Sequence, residues 1–226
     1  MTPHDQLKRQ WFTSGHSDLW NCNSTYRPVP YEMLPGLHDI SDDFSWLDDL
    51  PHESFTCTLD SDDNKIENLD HIVSTVRSLG LELPSGFVRF MADVSLQAKV
   101  PTCTACFLEI SESLIPVPGF DGSYVLRFMN DSQGCVMWYL LLNRSTTPRV
   151  VASNYFFEPD IFEALADEEV GIKYPDVIHQ ASICADSFLE FVYRFWIENA
   201  VWYSKHDKRP LSAREADYKN QITTKP

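Results

Sequence analysis

The sequence predicts an α+β fold in which helices pack on a central antiparallel β-meander, preceded by an N-terminal arm and an acidic segment. Three observations indicate this class. Apolar residues recur with the helical period over 66–79, short strand-like runs alternate with turn residues over 103–153, and an aromatic helical pattern fills 186–204. Of the 226 residues 43% are hydrophobic, which is enough to form a sizeable core.

Two helices are expected ahead of the sheet. The first should be capped by Asp63 or Asn64 and should end at Gly80, a residue suited to the left-handed turn that closes helices. Its apolar face consists of Ile66, Leu69, Ile72, Val73, Val76 and Leu79. The second helix should begin at or near Pro84, with Phe87, Phe90, Met91 and Val94 sharing one face.

Four strand-like runs follow, at 103–110, 124–129, 135–142 and 149–153. The middle two should form a hairpin across the turn at 130–134, and the last should extend the meander antiparallel. A short helix is expected at 159–166. The long aromatic helix over 186–204 should be capped by Asp186 or Ser187, and a last helix over 212–220 should carry a capping box of Ser212 and Glu215.

The chain is expected to divide into residues 1–63, an arm with an acidic aromatic segment, and residues 64–222, a single α+β domain. Residues 1–38 are polar and aromatic without a clean period. They are interpreted either as an arm laid over the main domain or as a partly mobile tail.

Charge is concentrated before the first helix. The formal net charge is −15, and residues 39–70 contain eleven acids against Lys65 alone, a net −10. A chain this acidic is a poor candidate for binding nucleic acid or an anionic membrane surface, since both require clustered Lys and Arg. The segment also holds aromatic and aliphatic residues, and acids combined with aromatic side chains are found in exposed partner-binding segments. The favoured alternative is a solvated loop region anchored by a few apolar side chains.

A second unusual segment is the 127–139 hairpin. Alternation along its second strand points Val136, Trp138 and Leu140 to one face and Cys135, Met137, Tyr139 and Leu141 to the other. Both faces are apolar, so the one away from the core must be covered, by the 186–204 helix or else by a partner. Within that helix Arg194 and Glu198 are expected to form an i,i+4 ion pair.

These two segments supply the candidate partner-binding residues. They are Asp42, Asp43, Trp46, Asp48, Asp49, Asp60, Asp62, Asp63, Arg127, Asp131 and Trp138.

Sequence motifs of catalysis and metal binding are missing. There is no nucleophile elbow, zinc-protease motif, P-loop or dinucleotide fingerprint, and no two histidines are spaced i,i+3 or i,i+4. The run 60–64 resembles the start of a calcium loop, but Lys65 replaces the turn glycine and His71 the bidentate glutamate. Cys103 and Cys106 form a lone CxxC that is interpreted as structural. No catalytic residue, cofactor or metal is therefore predicted.

The segment around Leu83, Pro84, Phe87, Phe90 and Met91, followed by a meander and a closing helix, resembles the SMI1/KNR4 (SUKH) superfamily over about residues 66–200. In that family a Leu-Pro step opens a helix ahead of the sheet. Its Gly-rich turn is replaced here by residues 92–97. The resemblance implies an α+β fold without catalytic residues. It also implies a role as an immunity protein that neutralises a toxin, or as an interaction adaptor.

The resulting hypothesis is a cytoplasmic, non-enzymatic protein-binding module whose partner is basic. Its acidic charge would speed association with such a partner. No signal peptide or membrane span is expected. Two alternatives stay open: an enzyme, such as a hydrolase, whose Asp, His and Cys residues converge from distant positions, and a scaffold that docks through 39–70.

Overall fold

A computed structural model describes most of the chain: residues 6–14, 19, 25–37, 40–48, 55–58, 63–165 and 172–223. At residues 14, 63–67, 175 and 223 it describes the backbone alone. The strands are β1 (Lys8–Ser14), β2 (Tyr26–Pro30), β3 (Phe107–Leu108), β4 (Ile115–Pro116), β5 (Ser123–Asn130), β6 (Met137–Asn143), β7 (Thr146–Ser153) and β8 (Ser182–Ala185). The helices are α1 (Asp63–Ser78), α2 (Ser85–Ala92), α3 (Val94–Gln97), α4 (Pro159–Leu165), α5 (Phe188–His206) and α6 (Ala213–Thr223).

The described strands form one mixed sheet in the order β2-β1-β8-β7-β6-β5-β3, with β4 also paired to β5. Its pairs are antiparallel apart from β1 with β8. The predicted meander is β5-β6-β7, in which Leu140 lies opposite Leu126 on one side and Val150 on the other. The α+β class and the meander are confirmed.

The turn between β5 and β6 is organised by Asp131. Its Oδ2 accepts hydrogen bonds from the backbone N–H groups of Gln133 and Cys135, both at 3.1 Å. Gly134 has a φ of 68°, a left-handed conformation that costs glycine little. The turn residues seen in the sequence therefore close the hairpin as predicted.

Each face of the meander packs on a different part of the chain. On one face, Trp138 lies 6.0 Å from Phe191 and 6.2 Å from Phe195 of α5, measured between ring centroids. On the other face, Tyr139 lies 4.7 Å from Phe157, within a second cluster that includes Val177 and Ile178. The expected helix thus covers the Trp138 face, and residues 155–162 and 172–181 contribute to the cover of the Tyr139 face.

The N-terminal residues belong to the same sheet. β1 pairs in parallel with β8 at Lys8 and Arg9, and antiparallel with β2 from Gln10 onward. Trp11 is buried and its ring lies 5.8 Å from Phe191 of α5. One sheet and one core therefore cross the predicted boundary at residue 63. The described part of the arm contributes two strands to this sheet and packs into its core.

Three helix boundaries follow the predicted signals. Gly80, with a φ of 68°, follows α1, and Ser187 caps α5 by accepting the N–H of Glu190 at 3.1 Å. The capping box of α6 is confirmed: Ser212 N–H donates to Glu215 Oε2 at 2.6 Å, and Glu215 N–H to Ser212 Oγ at 3.2 Å.

Two predictions on extent are wrong. Val94 is 51% exposed and opens α3, because Asp93 ends α2 and caps the next turn by accepting the Ser95 N–H. The expected strand over 103–110 is reduced to Phe107–Leu108. Ahead of it, Ala105 takes a φ of 53° and Thr102 Oγ1 accepts the Cys106 N–H, which makes a turn of the CxxC.

No helix among the described residues combines the length and the apolar character that a bilayer crossing requires.

Candidate functional site

Residues 40–48, the described start of the acidic segment, form a loop fixed to the helical layer; we call it the anchored loop. Its anchors are Phe44, Trp46 and Leu47, which are all buried. Phe44 packs on Phe90 of α2 at 5.5 Å, and Trp46 packs on Tyr193 of α5 at 5.1 Å between centroids. The favoured interpretation, a loop held by a few apolar side chains, is confirmed for this part of the segment.

The acids of the anchored loop point outward. Asp42, Asp43 and Asp48 are exposed, and we call them the acidic patch. Asp42 accepts a hydrogen bond from Ser85 Oγ at 3.0 Å, which ties the loop to the start of α2. Asp48 lies 3.4 Å from Nη1 of Arg214, which also donates to the carbonyl of Trp46. Burial of the aromatic anchors therefore presents three carboxylates at defined positions.

Asp43 is held ionised by local hydrogen bonds. The Ser41 hydroxyl and the N–H of Ser45, at 2.9 Å, both donate to its Oδ1. These donors stabilise the carboxylate and lower its pKa to about 2. The side chain therefore stays negative throughout the pH range in which a protein partner would bind.

The rest of the predicted acidic site is not placed by the structure. Asp49, Asp60 and Asp62 lie outside the described residues. Asp63 begins α1, and its side chain is not described.

Arg127, a predicted surface residue of the hairpin, is buried inside the molecule. Its Nε lies 2.6 Å from Glu158, and its Nη1 donates to Glu109 and to Asn130, the latter at 2.9 Å. Glu158 also accepts the hydroxyl of Tyr139 at 3.1 Å. Arg127 thereby fastens the segment that covers the Tyr139 face, and its polar groups are used within the chain.

Asp131 and Trp138, the other two hairpin candidates, are also buried, at 2% and 1% exposed. Tyr26 binds both: its hydroxyl donates to Asp131 Oδ1 at 2.8 Å, and its ring lies 5.9 Å from that of Trp138. The three hairpin candidates therefore lie in the interior, whereas the described acids of the anchored loop lie at the surface. Trp46 is likewise buried as an anchor, so the acidic patch is what remains of the predicted site at the described surface.

A groove runs between the α1–α2 connection and the β6–β7 turn. It comprises two adjoining cavities of about 490 and 430 Å³ that share Gly80, Leu81 and Glu82. The walls carry Arg77 and Arg144 but no histidine or cysteine. A groove with this lining offers neither a nucleophile nor a general base of the kind expected for an Asp, His and Cys site.

The described histidines and cysteines do not converge on a catalytic or metal site. His71, His179 and His206 are exposed, and within the described residues no group of three potential ligands could hold a metal ion. Burial raises the pKa of the Cys57, Cys106 and Cys184 thiols, which keeps them protonated and poorly nucleophilic.

A buried polar network surrounds α5, and residue spacing along the chain did not indicate it. Glu198 is 2% exposed, and its carboxylate accepts hydrogen bonds from Trp11, Thr13 and Tyr218. The predicted partner of Glu198, Arg194, instead binds Glu190 at 2.9 Å. The i,i+4 spacing showed that α5 holds charges on one face, but it gave no sign that β1 and α6 supply the donors.

Comparison with known proteins identifies no relative. No family model, curated protein or solved structure matches the chain.

Proposed function

We propose that this chain is a non-enzymatic protein-binding module whose acidic patch docks a basic protein. The observation that carries the proposal is the anchored loop, in which buried aromatic side chains hold Asp42, Asp43 and Asp48 at the surface. A loop held by buried side chains has less conformational entropy to lose on binding, and its charges can attract and orient a partner.

The charge of the chain supports a basic partner. Of the formal net charge of −15, −10 lies in residues 39–70, the segment that begins with the acidic patch. Opposite charges on two proteins raise the rate at which they meet and fix the orientation of docking. A nucleic acid or an anionic membrane would be repelled, so a protein is the proposed partner class.

The proposal extends to the biological role suggested by the SMI1/KNR4 resemblance. A toxin that acts on nucleic acid carries a basic surface, and an acidic immunity protein would neutralise it by covering that surface. An interaction adaptor would use the same patch on a basic partner. For an enzyme, by contrast, the two cavities of the groove between the α1–α2 connection and the β6–β7 turn offer no Asp, His or Cys side chain.

The test is capture of proteins from a native lysate by the immobilised full-length chain, with quantification by mass spectrometry. The variant D42N/D43N removes two charges from the acidic patch. The matched control D121N/D160N removes two exposed charges elsewhere. We expect a basic protein retained at low salt by the unmodified chain and by the control, and released early from D42N/D43N.

The dependence of protein retention on salt concentration can be measured with the same immobilised chain. Exposed charges more than a Debye length of about 8 Å apart are screened at physiological ionic strength. Retention should therefore weaken steadily as sodium chloride rises. Equal capture by D42N/D43N and the unmodified chain, or retention insensitive to salt, would contradict the proposal.

A further inference from the structure

A small cavity lies where the anchored loop meets α5 and α6. Its volume is about 180 Å³, and three aromatic rings line it, those of Trp46, Tyr193 and Tyr218. Cavities that hold drug-sized ligands measure about 300–1,000 Å³. This one has room for a single side chain.

The aromatic walls are held in place by packing. Trp46, Tyr193 and Tyr218 are 4%, 8% and 3% exposed, so most of each ring is packed against other parts of the chain. The Trp46 and Tyr193 rings lie 5.1 Å apart at 52°. Aromatic faces carry negative partial charge and attract cations within about 6 Å of the ring centroid. A cationic side chain that lies over one of these faces in the cavity would be attracted to it.

A carboxylate lines the same cavity. Asp217 lines it from α6, is exposed, and accepts a hydrogen bond from Gln221 at 2.8 Å. No ion pair joins Asp217 to a cation within the part of the chain that the structure describes. Burial raises the pKa of Tyr193; the charges of Arg214 and Arg194 oppose this shift, whereas those of Asp217 and Asp48 add to it.

Arg214, on the wall of the cavity, shows what these surroundings can hold. Its guanidinium lies 5.7 Å from the ring centroid of Trp196, donates to the carbonyl of Trp46 and lies 3.4 Å from Asp48. An aromatic face, a carbonyl and a carboxylate thus already bind one guanidinium of the chain itself. Beside this guanidinium, Asp217 provides a carboxylate, and Tyr193 and Tyr218 provide aromatic rings.

We propose that this cavity receives one lysine or arginine side chain of the basic partner. The inference rests on the proposed function and makes it more specific, because it names a pocket beside the acidic patch and the chemical group that enters it. The acidic patch would attract the basic partner over a distance. The cavity would hold one cationic side chain through contact with its aromatic rings and through the negative charge of Asp217.

The experiment titrates the full-length chain with three acetylated and amidated tripeptides: Gly-Arg-Gly, Gly-Lys-Gly and Gly-norleucine-Gly. Norleucine has the chain length of lysine without its charge. Binding is followed by NMR at the indole N–H signal of Trp46, assigned with the variant Trp46→Phe. We expect a saturable shift with one or both cationic peptides, and at least about tenfold weaker binding of the norleucine peptide. The relative affinities of the arginine and lysine peptides identify the preferred cation.

Two variants complete the test. Asp217→Asn should weaken binding of the cationic peptides about threefold, as expected for loss of an exposed charge pair, and should leave the fold intact. The control Asp121→Asn changes an exposed acid in the loop before β5 and should bind as the unmodified chain does. Equal binding of the norleucine peptide, equal effects of the two variants, or no shift at Trp46 would each overturn the inference.

The result of the peptide titration can be distinguished from the result of the capture experiment that tests the proposed function. If the peptides fail to bind while a basic protein is still captured through Asp42 and Asp43, the cavity is excluded and the acidic patch stands. If the peptides bind but no basic protein depends on the patch, the cavity stands as a cation site and the proposed function fails.

Discussion

Trp11 Nε1 donates a hydrogen bond of 2.9 Å to Oε2 of Glu198, 187 residues further along the chain. The same oxygen accepts Thr13 Oγ1 at 2.7 Å, and the other carboxylate oxygen accepts the Tyr218 hydroxyl at 3.0 Å. One buried carboxylate therefore joins β1, α5 and α6. Since each donor is itself buried, the loss of this acceptor leaves several polar groups without a partner in the core.

Replacing Glu198 should destabilise the fold strongly. We expect Glu198→Ala to lower the free energy of unfolding by about 3–5 kcal/mol, the range found when one partner of a buried charged network is removed. Urea denaturation followed by circular dichroism measures this. Thr13→Ala, which removes one of the three donors, should cost about 1 kcal/mol and keeps the test informative if Glu198→Ala does not fold. The exposed control Glu163→Ala should change stability by less than about 0.5 kcal/mol.

Arg127 and Glu158 should behave as a coupled pair. Their atoms lie 2.6 Å apart with both side chains mostly buried, so Arg127→Met leaves a buried carboxylate without its cation. We expect it to cost about 3 kcal/mol, and the double variant Arg127→Met/Glu158→Gln to cost clearly less than the sum of the two single changes. Strict additivity in this double-mutant cycle would show that the ion pair does not fasten the residues around Glu158 to β5.

Acid should weaken the junction between α5 and α6 through Glu215. Burial raises the pKa of Glu215, but hydrogen bonds from Arg209, Ser212 and Ser204 and the Arg209 charge outweigh it, so its folded pKa is lowered. A lowered pKa contributes stability that is present above the unfolded value of about 4.3 and lost as pH falls through the folded value. Between about pH 5 and pH 3 the unfolding free energy of Glu215→Gln should therefore fall less steeply than that of the unmodified chain.

The anchored loop should contribute to stability through its aromatic anchors and to binding through its acids. Trp46→Ala removes a ring that is 4% exposed and packed on Tyr193 and Trp196, and should cost about 3–5 kcal/mol. Asp42→Asn should change stability by less than about 0.5 kcal/mol, because the carboxylate is exposed. Thermal unfolding of the two variants checks the contrast. A stable Trp46→Ala protein would mean that the loop is attached by other contacts.

Local patterns placed most of the helices and the meander. Residue spacing of three and four marked α1 and α5, Gly80 and Ser187 marked their ends, and the turn at 130–134 marked the β5–β6 hairpin. These signals succeed because they depend on the period and turn chemistry of neighbouring residues. The anchors of the acidic segment were also visible, since large apolar residues between acids indicate burial on one side.

Contacts between residues far apart in the sequence determine the structural features that local sequence patterns did not predict. Arg127, Asp131 and Trp138 stand out in the sequence, yet each is buried because Glu158, Tyr26 and α5 reach them from distant parts of the chain. Likewise, nothing near Glu198 predicts that Trp11 will bind it. The order of strands, the cover on each sheet face and the cavity beside Trp46 all depend on which segments meet in space, because packing joins residues that spacing along the chain does not relate.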